Sequence, residues 1–60
     1  MILFFPNAEG VLVGISTDHV IKIDQWNDGK CLVHLAGTKD VVTLGALAEY
    51  VADQINRAGA

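Results

Sequence analysis

The chain has 60 residues, of which 52% are apolar, and a formal net charge of −3. This length leaves room for one domain, which buries only about 60% of its unfolded surface and is marginally stable alone. The apolar fraction argues against a disordered chain, and the four Lys and Arg residues form no basic cluster of the kind that nucleic-acid binding needs.

Five short apolar segments separated by turn residues predict five β-strands. The predicted strands cover residues 2–5, 11–15, 19–26, 30–36 and 39–43. The turn-prone segment 6–10 predicts a hairpin between the first two strands, and the polar segment 16–18 interrupts the chain before the third. The pattern leaves open whether the first two strands join the same sheet as the others or exchange between subunits.

The connection between the third and fourth strands fixes their register in one of two ways. It is a two-residue turn at 28–29, or a three-residue loop at 27–29 with Gly29 in the left-handed conformation. The loop pairs Ile23 with Val33. It also places Ile21 opposite Leu35. We favour the loop because it gathers the apolar side chains on one face of the sheet.

The connection between the fourth and fifth strands predicts a two-residue type II′ turn at 37–38, with Gly37 first. This turn pairs Val33 with Val42. It also pairs Leu35 with Asp40. The inner face of the sheet then consists of apolar residues from three strands: Ile21, Ile23, Cys31, Val33, Leu35 and Val42.

A change to helical spacing predicts a helix over residues 44–58, with Thr43 as N-cap and Gly59 as the stop. Its apolar stripe consists of Leu44, Leu47, Ala48, Val51 and Ile55. The expected fold is a single α+β domain of order β-β-β-β-β-α over residues 1–60. An antiparallel sheet of about five strands carries the C-terminal helix on one face.

The outer face of this sheet mixes apolar and charged side chains. Because one helix covers only one face, we expect the outer face to form an interface, and Trp is enriched in such surfaces. The predicted interface residues are Val20, Trp26, Leu32, His34 and Val41. The apolar strand at 2–5 adds further apolar side chains that a monomer covers poorly. We therefore expect a homo-oligomer, with a dimer favoured, or a second protein as partner.

The residues that could carry chemistry do not converge. Cys31 and His34 resemble a metal-binding pair, but residues three apart on a strand point to opposite faces, so they form neither a metal site nor a thiol–base pair. Glu49 and Asp53 are expected to be solvated on the helix, and the sequence contains no phosphate-binding loop. We therefore expect no enzyme, no catalytic residues, no cofactor and no metal.

The segment at residues 1–5 is apolar but lacks the basic region of a signal peptide and is followed by Pro6. No stretch approaches the ~20 apolar residues that span a bilayer. A single cysteine without an export signal fits a reducing cytoplasm, so we expect a cytoplasmic protein without membrane contact.

Residues 11–57 resemble the small FlbD-like bacterial proteins. The similarity consists of the segments 15–23 and 30–35, then Gly37, Val41 and Val42, and the helix with Val51 and Ile55. This resemblance implies a regulatory or accessory role linked to flagella, without catalytic residues. We therefore expect a non-catalytic bacterial or phage regulatory or adaptor protein that acts through protein–protein contacts.

The length and the order of elements also resemble the CsrA/RsmA carbon-storage regulators, with Lys39-Asp40-Val41 before the last strand. That resemblance implies the alternative function, a dimeric RNA-binding post-transcriptional regulator. The family binds messenger RNA through arginines in the first strand and at the helix start. Residues 4–7 and 44–46 take those places here without any basic side chain, so nucleic acid is not the expected partner.

Overall fold

Five strands and a C-terminal helix follow one another along residues 1–59, which the computed structural model describes. The elements are β1 Ile2–Pro6, β2 Leu12–Ser16, a 3₁₀ helix Thr17–His19, β3 Val20–Gln25, β4 Cys31–Leu35, β5 Val41–Leu44 and α1 Ala48–Ala58. All strand pairs are antiparallel. The predicted α+β class and the order β-β-β-β-β-α are confirmed.

The strands form two sheets, so the prediction of one five-stranded sheet is wrong. β1 pairs with β2, and β3, β4 and β5 form a second sheet in that order. The polar segment after β2 coils into the 3₁₀ helix, which interrupts the ladder between β2 and β3. The sheets meet at a bridge between Asn7 and Leu44, beside which the Gly45 N–H donates to the Pro6 carbonyl at 2.8 Å.

The predicted hairpin of β1 and β2 is confirmed, with Leu3 opposite Ile15. Asn7 organises its loop, because its Oδ1 accepts the N–H of Glu9 at 2.9 Å and that of Val11 at 3.0 Å. A short polar side chain that bonds to its own backbone in this way is typical of turns.

The predicted three-residue loop between β3 and β4 is confirmed, with Gly29 at φ 74° and Ile23 opposite Val33. A bulge between Val20 and Lys22 then shifts the register, so Val20 instead of Ile21 lies opposite Leu35. The predicted pair of Ile21 and Leu35 is therefore wrong. Since a one-residue slip exchanges faces, Val20 packs against the core and Ile21 is 68% exposed.

The register of β4 and β5 agrees with the prediction as far as it extends. Val33 lies opposite Val42, Gly37 has φ 82°, and the pairing ends at His34 and Val41. The predicted pair of Leu35 and Asp40 is absent from this ladder, because the chain leaves the sheet directly after Leu35.

The helix begins at Ala48, four residues after the predicted start. Leu44 ends β5 and is fully buried, and Thr43 is a strand residue, so its predicted role as N-cap is wrong. The N-cap is Leu47, which makes no side-chain cap. Instead, Oε1 of Gln25 in β3 accepts the Ala48 N–H at 3.0 Å. The helix ends at Gly59 as predicted, where the Gly59 N–H donates to the Ile55 carbonyl.

Both sheets and the helix contribute to one core. Its buried members are Phe5, Ile15, Cys31, Val33, Leu44 and Val51. Val51 places the helix on the inner face of the larger sheet, as predicted. Ile23, Leu35 and Val42 pack against this cluster, and each large apolar side chain that is fully buried contributes about 1.5–3 kcal/mol.

Candidate interaction surfaces

The outer face of the three-stranded sheet brings together three of the predicted interface residues. Two rows of cross-strand neighbours form this face, which we term the sheet face: Lys22, His34 and Val41 in one row, and Asp24, Leu32 and Thr43 in the other. Leu32 and His34 are partly buried, and Val41 is 42% exposed. Leu32, His34 and Val41 therefore share one surface.

Of the other two predicted interface residues, Trp26 lies at the end of the sheet face and Val20 lies elsewhere. Val20 is turned toward the core by the bulge in β3, so its assignment to the outer face is wrong. Trp26 follows β3 at the entrance to the turn, where its backbone N–H donates to the Lys30 carbonyl at 2.9 Å. Its side chain is 52% exposed, at the end of the sheet face.

A charged group occupies the centre of the sheet face. Nε2 of His34 lies 2.9 Å from Oδ2 of Asp24, and Nζ of Lys22 lies 3.5 Å from the same oxygen. The hydrogen bond from His34, with a further contribution from Lys22, lowers the pKa of Asp24 from its ordinary value. The face is therefore apolar at Leu32 and Val41 and polar between β3 and β4.

The outer face of the β1–β2 hairpin is more strongly apolar than the sheet face. Ile2, Phe4 and Leu12 alternate with inward-facing residues and are 61%, 66% and 66% exposed. Met1 and Val11, at the adjoining ends, are 65% and 59% exposed, but by the alternation of the strands they belong to the opposite face. We term Ile2, Phe4 and Leu12 the hairpin platform. The sequence pattern indicated surplus apolar side chains at residues 2–5 but did not assign them to an interface.

The sequence signal for the hairpin platform is the absence of alternation. Strands with one wet face alternate apolar and polar residues, whereas strands buried on both faces are continuously apolar. Segments 2–5 and 11–13 are continuously apolar. The structure covers one of their faces, through Phe5 and Ile15.

The side chains that were considered for metal binding or acid–base chemistry do not lie together. Cys31 is fully buried, which raises the pKa of its thiol, and His34 lies on the opposite face of β4. Asp53 forms an ion pair with Arg57 at 2.9 Å on the exposed side of α1. Among residues 1–59, no group of three or more His, Cys, Asp or Glu side chains is arranged to hold a metal ion.

An open groove of about 390 Å³ lies between β3 and α1. Its lining is formed by Thr17, Val20, Ile21, Lys22, Ile23, Ala52, Ile55 and Asn56. This lining contains one charged side chain, Lys22, which pairs with Asp24. It supplies neither a carboxylate nor a histidine for acid–base chemistry.

Comparison with family models, with curated proteins and with solved structures finds no match to this chain. No helix within residues 1–59 is long and apolar enough to cross a membrane.

Proposed function

We propose that this chain is a non-catalytic regulatory or adaptor protein of the bacterial or phage cytoplasm that acts through protein–protein contacts. The observation that carries the proposal is the amount of exposed apolar surface. Within residues 1–59, ten large apolar side chains are at least 42% exposed, whereas monomeric soluble proteins rarely expose large apolar patches. These side chains are concentrated on the β1–β2 hairpin and along the larger sheet.

The sheet face supports a role in binding a second protein. Apolar side chains beside a satisfied polar group, with an aromatic residue at the rim, are a composition typical of transient interfaces. The His34–Asp24–Lys22 group adds specificity, because a partner protein must present charges that complement this arrangement. We propose Trp26, Leu32, His34 and Val41 as the contact residues of this face.

The FlbD-like resemblance supplies a candidate setting for this function. The structure has a polar 3₁₀ segment before β3, a hairpin of β3 and β4, and a C-terminal helix, in the places where the sequence resembles those proteins. On this proposal the chain is an accessory protein linked to flagella, and its partner is a protein of that system.

The variant Trp26→Asp tests the proposal. Affinity-tagged wild-type protein is expressed in the source cells, and the proteins retained with it are quantified against the Trp26→Asp variant. We expect at least a tenfold loss of the specific partner, because a charge at the rim disrupts an apolar contact. Ile21→Asp is the matched control, since Ile21 is 68% exposed but belongs to neither cross-strand row of the sheet face. Equal retention by all three proteins would contradict the proposal.

RNA binding is the second candidate function, and the order β-β-β-β-β-α, which resembles the CsrA/RsmA regulators, favours it. The charge distribution argues against RNA binding, because Lys22 and Arg57 pair with Asp24 and Asp53. Titration of labelled bacterial RNA at low and high salt separates the two functions. Binding that weakens steeply with salt would favour RNA, since such a slope reports counterion release.

A further inference from the structure

The hairpin platform is one face of a two-stranded sheet whose other face is already in the core. Leu3, Phe5, Val13 and Ile15 point inward, and Phe5 and Ile15 are 3% and 2% exposed. A two-stranded hairpin is marginally stable in water unless it packs against other elements. Here the continuously apolar strands are suited to packing on both faces, and only one face is covered by this chain.

The Phe4 ring lies across the centre of the platform because β2 has a glycine there. Gly14 lies opposite Phe4, and a Cβ at this position would lie 3.0 Å from Cε1 of Phe4 and 3.1 Å from Cγ2 of Ile2. The Phe4 ring therefore covers the backbone of the neighbouring strand. An apolar face of this kind suits a second sheet, since packed sheets lie about 10 Å apart with their side chains in contact.

The chemistry of the platform favours a second copy of this chain over a charged partner. None of its three side chains carries a charge, and the Met1 ammonium at the adjoining strand end lies 3.8 Å from Oδ2 of Asp18. In a two-fold symmetric interface, the same patch meets itself. The apolar platform can meet its own copy without burying a charged group, whereas the sheet face would have to bury its Lys22–Asp24–His34 group.

The area fits a weak, transient dimer. The three side chains are each between 61% and 66% exposed and present on the order of 400 Å² per copy, since a large apolar side chain carries roughly 150–250 Å². Two copies then bury up to about 800 Å² in total, which lies in the range of weak, transient contacts. Such an area is typical of dimers that dissociate on dilution.

We infer that the hairpin platform is the surface through which two copies of this chain associate, face to face. This inference deepens the proposed function, since it rests on the proposal that the chain acts through protein contacts. It leaves the sheet face of each copy free, so the dimer presents two equivalent surfaces to a partner.

Sedimentation velocity across a micromolar dilution series tests the inference. The wild-type mass is expected to rise with concentration from 6.4 kDa toward twice that value. Phe4→Asp places two like charges in the interface and should weaken association at least tenfold. Ile21→Asp introduces the same charge at a side chain of similar exposure, 68% against 66%, and should leave the mass curve unchanged.

A wild-type chain that stays at 6.4 kDa throughout would overturn the inference. So would a dimer that Phe4→Asp leaves intact, because association would then use another face. If Phe4→Asp fails to fold, hydrogen exchange of the wild-type protein gives the answer, since amides of β1 and β2 should gain more protection with concentration than those of β5. A monomer that still loses its partner through Trp26→Asp would overturn the dimer and preserve the proposed function.

Discussion

Gly45 is the residue at which the two sheets are joined. An added Cβ would lie 2.7 Å from the Asn7 carbonyl oxygen, and this neighbour is backbone already fixed by the bridge to Leu44. Gly45→Ala should therefore destabilise the fold by roughly 1–3 kcal/mol, the usual cost of overpacking. Urea unfolding followed by circular dichroism measures this loss.

Gly14→Ala is the control for that prediction. Its added Cβ meets the Phe4 ring and the Ile2 side chain, which are exposed and can move aside. We expect a smaller change than at Gly45, because flexible side chains relieve the contact. Equal losses at the two glycines would show that the junction between the sheets is no more rigid than the hairpin platform.

Asp24, on the sheet face, makes the stability of the fold depend on pH. The hydrogen bond from His34, together with Lys22, holds the pKa of Asp24 below its ordinary value of 3.8. A pKa lowered in the folded state means that the ionised carboxylate stabilises the fold above pH 3.8, and that this stabilisation is lost as the pH falls through the lower folded value. Asp24→Asn should remove this contribution.

We expect the Asp24→Asn protein to melt below the wild type at neutral pH, with the difference shrinking as the pH falls below 3.8. Thermal midpoints across acidic pH measure the effect. Asp40→Asn, at an exposed position after the β4–β5 turn, is the control. Parallel melting curves for Asp24→Asn and wild type would contradict a role for the carboxylate.

At the scale of the elements, Gln25 connects β3 to α1. Its Oε1 accepts the Ala48 N–H at 3.0 Å, and its Nε2 donates to the carbonyls of Trp26 and Lys30. Gln25→Ala should cost about 0.5–2 kcal/mol, as the loss of an N-cap does. Thermal unfolding and the helical signal in circular dichroism measure the change.

A second substitution tests whether the lost helix cap is the cause of the lower stability of Gln25→Ala. Leu47 is the N-cap residue and has the extended conformation that capping side chains need. Leu47→Asp in the Gln25→Ala background supplies a local acceptor and a negative charge at the helix N-terminus. It should restore about 0.5–1 kcal/mol. Absence of any recovery would assign the loss to the bonds at Trp26 and Lys30.

The sequence predicted those features of the fold that depend on local chemistry. Gly29 and Gly37 adopt positive φ in the turns that set the registers of the larger sheet, and alternation then placed Val33 and Cys31 inside. The bulge at Val20–Lys22 has no signal of its own, so Val20 was assigned to the outer face although it packs against the core, and Ile21 was assigned to the core although it is exposed. Leu44 fits both the helical and the strand period, and only the contact with Asn7 decides between them.

At the scale of the whole molecule, the two sheets have different surfaces. The sheet face carries Lys22, Asp24 and His34 among its apolar residues, so water can solvate it. The hairpin platform is continuously apolar, although it belongs to the smaller sheet. We therefore assign the two proposed contacts to different surfaces, with self-association at the hairpin and a partner at the sheet face.

This arrangement predicts that stability depends on protein concentration. A dimer that forms only from folded chains stabilises the folded state by mass action, so its melting midpoint should rise by about 3–5 °C for each tenfold increase in concentration in a domain of this size. Calorimetry at several concentrations measures the slope. Phe4→Asp should show no slope, because the folded monomer gains nothing from concentration, and Ile21→Asp should keep the wild-type slope. A wild-type melting midpoint that is independent of concentration would mean that the core around Phe5 and Val51 stabilises the fold without a second copy packed on the hairpin platform.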